Sequence, residues 1–332
     1  MKNLIIEPIV QEDWKFGANN GISKPILTRM GGYLPTYESQ RFQSFDPWWC
    51  VSGSALNVIE TIFNYKIAHG LLSKENTQWL YDNWYIDENG KVNFDDWFLA
   101  RVSNTVPGKG NSLKAVGDAA RHYGLTPQLQ SPFKMGDYEN DLEDYNQAVP
   151  AGLYKLGEEF LQRFSINYEV VYEKDFHSAL NFGPLQVAVS NWLKQGNYYI
   201  PNGGIIHATM LYNDCPWMVF DTYSPYIKQL ADNYVFMSYG YTWYVNDNKP
   251  LIIKIMDYFF RLANGAIYWV KGGTNKAQAV TAFNAGLVAI THLMRKENAV
   301  TLKDEDLKNF ELTEEFFPTE QGFMQGIISL FK

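Results

Sequence analysis

Over residues 50–240 the period of the apolar residues passes from helical to strand-like, and that change limits the folds open to this chain. From Cys50 to about Ala68, Val51, Ala55, Val58, Ile59, Ile62 and Phe63 recur at helical spacing, and Gly70 supplies a stop. A second helix is expected over Lys74–Asn83 with Ser73 as N-cap, then a short apolar element at Trp97–Val102. Asn111 or Ser112 caps a further helix at Leu113–Tyr123, closed by Gly124 and followed by Pro127. Farther along, the segments become strand-like. Tyr168–Tyr172 alternates, Gly183-Pro184 leads into Leu185–Val189, Ile205–Tyr212 is β-prone, and Trp217–Thr222 follows a turn at Asn213–Pro216. Tyr226–Gln229 and Tyr234–Tyr239 continue the sheet. Helices first and strands later predict an α+β domain whose two layers meet at a cleft.

The flanks read differently. Residues 1–35 are rich in turn residues and predict an extended arm, the main domain runs over 36–248, and 249–332 reads as a small α+β accessory region. In that last part a helix is expected at Ile252–Leu262, a strand at Ala266–Val270, a helix at Gln278–Met294 and a short apolar tail at Phe323–Phe331. The net charge of −8 argues against nucleic acid or an anionic membrane surface as partner. Leu4-Ile5-Ile6 is too short for a signal h-region, and no window of about 18 uncharged apolar residues exists, so no membrane insertion is expected. A soluble protein without a signal peptide is the expectation. Aromatic residues reach 16%, which predicts either buried rings or a ring-lined groove. The two cysteines, Cys50 and Cys215, are too few for a disulfide scaffold.

Cys50 stands at the start of the first helix, where the dipole and unpaired amides favour a thiolate and can hold an oxyanion. By position alone it reads first as a small buried hydrophobe capping a core helix. His207 lies in the strand-like Gly203-Gly204-Ile205-Ile206-His207-Ala208-Thr209-Met210, and Asp221 ends the run Trp217-Met218-Val219-Phe220 across a hairpin turn. Adjacent antiparallel strands bring such a pair side by side. A carboxylate there would hold the imidazole tautomer and its charged form. Taken singly, His207 reads as a core histidine and Asp221 as a turn residue.

Taken in order, these segments resemble the papain-like cysteine peptidases. Pro47-Trp48-Trp49-Cys50-Val51-Ser52-Gly53-Ser54-Ala55 is similar to the family's nucleophile segment at the head of its central helix. His207-Ala208 resembles the family's His-Ala, and it lies 157 positions after Cys50, against about 130–150 in the family. Asp221-Thr222-Tyr223 takes the place of the family's Asn-Ser-Trp. Gly183-Pro184-Leu185 resembles its Gly-Pro-Val strand, and Asn111 to Leu125 the helix before its cleft. The resemblance covers roughly residues 35–240 and lies closest to divergent proteins of bacteria and their phages. It implies a papain-like two-layer fold with a central helix and an antiparallel β-sheet or barrel layer. It also implies a Cys50 nucleophile, a His207 base, an Asp221 orienter and Tyr223 covering their bond.

Several positions depart from the family pattern. The oxyanion glutamine is expected six residues before the nucleophile, where this chain has Ser44. Gln43 is favoured for that role, with a bulge at Asp46-Pro47 absorbing one residue, and Gln40 stays open. Trp48, Trp49 and Trp192 are the expected walls of the substrate groove. The implied function is peptide-bond hydrolysis in a polypeptide substrate, without cofactor. No metal is expected, because His69, His122, His177 and His292 lack partners at ligand spacing. Two other classes fit the same residues. One is a non-catalytic structural or interaction protein, such as a phage virion component, which leaves the location as cytoplasmic or virion-associated. The other is acyl transfer without proteolysis.

Overall fold

The computed structural model describes residues 4–11, 13–17, 28–41, 45–133 and 141–247, and the backbone of strands at 256–261, 267–273 and 312–315. The chain divides into two units, 1–248 and 249–332. The first is an α+β unit built round helix α1 (Cys50–Ala68), which is buried from Cys50 through Phe63. Apolar residues fall on every side of it, as they do in a helix enclosed within a protein. Its polar residues are satisfied internally: the hydroxyls of Ser52, Ser54 and Thr61 donate to the carbonyls of Trp49, Val51 and Asn57.

Three short helices follow, each capped by the side chain before it. Ser73 accepts from the Asn76 N–H at α2 (Lys74–Asp82), and Asp95 from the Phe98 N–H at α3 (Asp96–Val102). Ser112 accepts from the Ala115 N–H at α4 (Leu113–Tyr123). Helices α5 (Asp141–Asn146) and α6 (Ala151–Arg163) complete the helical layer. The acidic run Asp137–Asp144 reads in sequence as a solvated helix face, but Asp141 is buried, because α5 turns that residue and Tyr145 inward. Under α1 the rings of Phe63, Phe94, Phe160 and Phe164 meet at centroid distances of 5.0–5.9 Å. Much of the aromatic content is spent there, in a core and not in a groove.

The strand layer comprises β1 (Phe164–Tyr172), then the one-turn helix α7 (Phe176–Ala179), β2 (Leu185–Gln195), β3 (Tyr198–Asp214), β4 (Trp217–Phe220), β5 (Ile227–Gln229) and β6 (Phe236–Asp247). Every pairing is antiparallel and the order is β1-β6-β2-β3-β4-β5, an open sheet and not a barrel. One outer edge is covered by the N-terminal arm, which runs extended there. Phe16 N–H donates to Val170 of β1, and Val170 N–H donates to Trp14. A covered edge cannot template aggregation. Helix α1 packs on β3, β6 and β2, so the head of α1 lies over the middle of the sheet.

In the second unit, β7 (Met256–Arg261) pairs with β8 (Ile267–Gly273) and β9 (Leu312–Glu315). This corrects the helix expected at Ile252–Leu262. Tyr258, Phe259 and Phe260 are strand formers, and pairing on both sides outweighs a helical coincidence of apolar residues. The segments at Gln278–Met294 and Phe323–Phe331 lie outside the described residues. Among the described residues no helix is long and apolar enough to cross a membrane.

Candidate active site

The chain enters α1 through a bend. Trp48 sits at φ 59°, in the left-handed region, with its N–H on the Asp46 Oδ1 at 2.8 Å. A non-glycine residue there costs about 1–2 kcal/mol and persists only where its surroundings dictate it. The bend places Cys50 as the first helical residue. Its N–H belongs to the turn whose amides have no acceptor inside the helix. One turn on, Gly53 has no room for a side chain: a Cβ would lie 2.8 Å from Thr222 Cγ2. Glycine therefore lets α1 close onto the loop that begins at Asp221.

His207 comes from β3, opposite Val189 and next to a register shift at Val189/Ser190. Such irregularities re-aim side chains. His207 Nε2 lies 2.6 Å from Asp221 Oδ1, and the Cys50 thiol is hydrogen-bonded to the same ring. Since Nε2 serves Asp221, the thiol is served by Nδ1. Both oxygens of Asp221 are filled: Oδ1 also accepts from the Thr222 N–H at 2.8 Å, and Oδ2 from Lys228 Nζ at 2.5 Å. All four side chains are buried. Burial opposes charge on His207, but the neighbouring Asp221 and Cys50 charges, with a hydrogen bond to each, push its pKa up to about 10. Burial also works against the Asp221 carboxylate, yet His207 and Lys228 hold it below the usual carboxylate range.

Two rings bracket the imidazole. Trp192 meets it edge-on at 5.3 Å and Tyr223 lies at 5.4 Å. The Tyr223 hydroxyl donates to Asp46 Oδ2 at 2.5 Å. Trp48 is half-buried. Trp49 is in the core, its ring about 6 Å from those of Phe133 and Tyr145, and it is one lining residue of a cavity of about 430 Å³ that Glu38, Asp96 and Gln128 also line. An indole that size next to a buried helix start gains more from core burial than from standing in a cleft.

Gln43 lies outside the described residues. Gln40 is buried, and its amide has no hydrogen left for an oxyanion. Nε2 donates to Asp46 Oδ1 at 3.1 Å and to the Tyr223 hydroxyl at 2.6 Å. Its Oε1 accepts from Thr222 Oγ1 at 2.6 Å. An amide carries two N–H donors, so Gln40 ties the segment before Cys50 to the loop that carries Asp221.

Sequence reasoning missed two features. Lys228, in a two-sided strand pattern, gives no local sign of pointing inward. The other is a set of acids gathered from three segments, with Glu60 and Asp95 buried and Glu38 and Asp96 half-buried beside them. Burial first, then the charges of Glu38 and Asp87, hold the Glu60 carboxyl well above its ordinary range, although the Phe94 N–H donates to it. Asp96 is raised likewise, and burial lifts Asp95 to about 7. Acids raised by folding stabilise the native state fully only below their ordinary values, and that contribution drains away as pH climbs toward the raised ones. Glu60→Gln keeps an acceptor for Phe94 and removes the proton requirement. Its melting temperature should therefore fall less than the wild type's between pH 5 and pH 8. Parallel slopes in thermal melts at the two pH values would count against this account.

Among the described residues no three His, Cys, Asp or Glu side chains are grouped to hold a metal ion. No protein-family model matches the chain, and no curated protein matches its sequence.

Proposed function

We propose that this chain is a cysteine peptidase of the papain-like type, with Cys50 as nucleophile, His207 as acid and base, and Asp221 as orienter. The observation that carries this reading is one imidazole hydrogen-bonded to a helix-head thiol on one side and to a buried carboxylate on the other. The open antiparallel sheet under a central helix is compatible with it. In the reaction the Cys50 sulfur, as thiolate, bonds to the scissile carbonyl carbon while Nδ1–H of His207 gives its proton to the departing amine. The amine leaves with the C–N bond broken. A water, deprotonated by the now neutral Nδ1, then splits the thioester and returns the thiol. The Cys50 N–H faces the carbonyl oxygen as charge develops on it. The substrate class is an extended polypeptide.

Cys50 has 0% exposure. A carbonyl can reach the sulfur only after the side chains over it move, and that favours a second reading, a scaffold protein without turnover. A peptide-like epoxide separates the two, because it binds as substrate does and alkylates only a thiolate that it can reach. Peptide mapping should place the label on Cys50 in preference to the exposed Cys215. Labelling confined to Cys215 would select the scaffold reading.

A further inference from the structure

The orienter position carries a full negative charge where a neutral amide would leave the thiolate and imidazolium balanced. A second buried anion is costly unless a cation meets it. Lys228, from β5, is that cation. Its Nζ donates to Asp221 Oδ2 at 2.5 Å, to the Tyr223 carbonyl at 2.7 Å and to the Pro225 carbonyl at 2.6 Å. All three hydrogens of an ammonium are thus used. Its side chain is 3% exposed and lies over the rings of Trp192, at 5.0 Å, and Tyr199, at 5.9 Å. The Trp192 ring also abuts His207. Lysine normally leaves its charged end in water, so a wholly enclosed one facing an orienter has a task.

We propose that Lys228 is a positioning residue for the Cys50–His207 pair: it cancels the charge of Asp221 and clamps the loop that bears it. This rests on the reading of Cys50 as nucleophile. The site then holds four charges summing to zero: thiolate, imidazolium, carboxylate and ammonium. Other ionisable groups facing it are Tyr199 from β3, Tyr223 and Tyr234 beside Asp221, and Asp46 behind Tyr223. Burial raises the Tyr223 and Tyr234 phenols, so neither charges in the range that matters.

The experiment is a pH titration of the Cys50 thiolate, read as ultraviolet absorbance with the spectrum of Cys50→Ala subtracted. Removing a positive charge makes a nearby anion harder to form, and removing a negative one makes it easier. Lys228→Met should shift thiolate formation to higher pH by about one unit, and Asp221→Asn to lower pH by a comparable amount. The double variant should return to the wild-type midpoint, and Lys228→Arg should stay near it. A lysine with a merely structural role moves no midpoint and shows no cancellation. If Lys228→Met does not fold, the double variant decides: restored folding with the wild-type midpoint is the expected result, and failure to restore overturns the proposal. A normal wild-type ion pair with an unmoved Lys228→Met midpoint sinks the lysine's role alone. A wild-type thiolate that forms only near the ordinary value of about 8.5 sinks the nucleophile reading, and the lysine's role with it.

Discussion

Cys50→Ala should reduce peptide hydrolysis to a residual rate, whereas Cys215→Ala should leave it intact: that contrast is the first expected result. Loss of the attacking atom in a nucleophile–base–orienter set costs on the order of 10⁵-fold or more in kcat, since no other group in the site can form the covalent intermediate. The helix-head amides and substrate binding survive the change, so a residual rate above water is expected, not zero. The fold should survive as well. Cys50 is small and fully enclosed, and alanine fits the same space. The substitution removes one hydrogen bond, that of the thiol to His207, and the imidazole keeps Asp221. Cys215 lies exposed in the turn between β3 and β4 and serves as the internal control. The measurement is turnover of an unstructured protein substrate, with circular dichroism to verify folding. Undiminished turnover in Cys50→Ala would remove the cysteine mechanism outright.

The second large effect is at Asp221. Asp221→Ala strips a buried carboxylate from two buried cations at once, His207 and Lys228. Breaking a buried ion pair by deleting one partner typically costs about 3–5 kcal/mol, because the other is left uncompensated. The Thr222 N–H loses its acceptor too, so the loop joining β4 and β5 loosens. Catalysis should fall by about 10⁴-fold, as the imidazole loses its tautomer and its raised basicity. Asp221→Asn keeps the shape and an acceptor oxygen, so it should recover the part of each loss that comes from the missing side chain and not the part that comes from the missing charge. Urea unfolding reads the stability term, and kcat of the folded fraction reads the chemical one. An Asp221→Ala protein as stable and active as the wild type would show that the carboxylate has no part in the site.

The site residues differ in how far local pattern announces them. Cys50, His207 and Asp221 stand out only as an ordered set: a thiol at the head of a helix, then a histidine within a β-prone run, then a carboxylate at the end of a strand. Lys228 does not stand out. Its neighbours Ile227 and Gln229 give a three-residue strand too short to reveal which face is inward, and only pairing with β4 decides it. Gln40 shows the limit of counting residues backward from a nucleophile. The bend at Trp48 breaks the spacing, and Gln40's amide is spent on Asp46, Tyr223 and Thr222, residues up to 183 positions away. Trp49 illustrates the same for burial: a tryptophan beside a nucleophile reads as a wall, yet Phe133 and Tyr145 draw it into the core.

Residue order by itself determined the α+β layout and the extents of α1, α2 and α4, because periodicity and caps act within a few residues of one another. It also marked Cys50, His207 and Asp221, the three side chains that the fold brings together. Tertiary structure alone decided that the sheet stays open, that β7 is a strand, and that Lys228, Glu60 and Asp95 lie in the interior. Those outcomes depend on electrostatic and packing partners supplied by distant segments, and a local window carries no record of them.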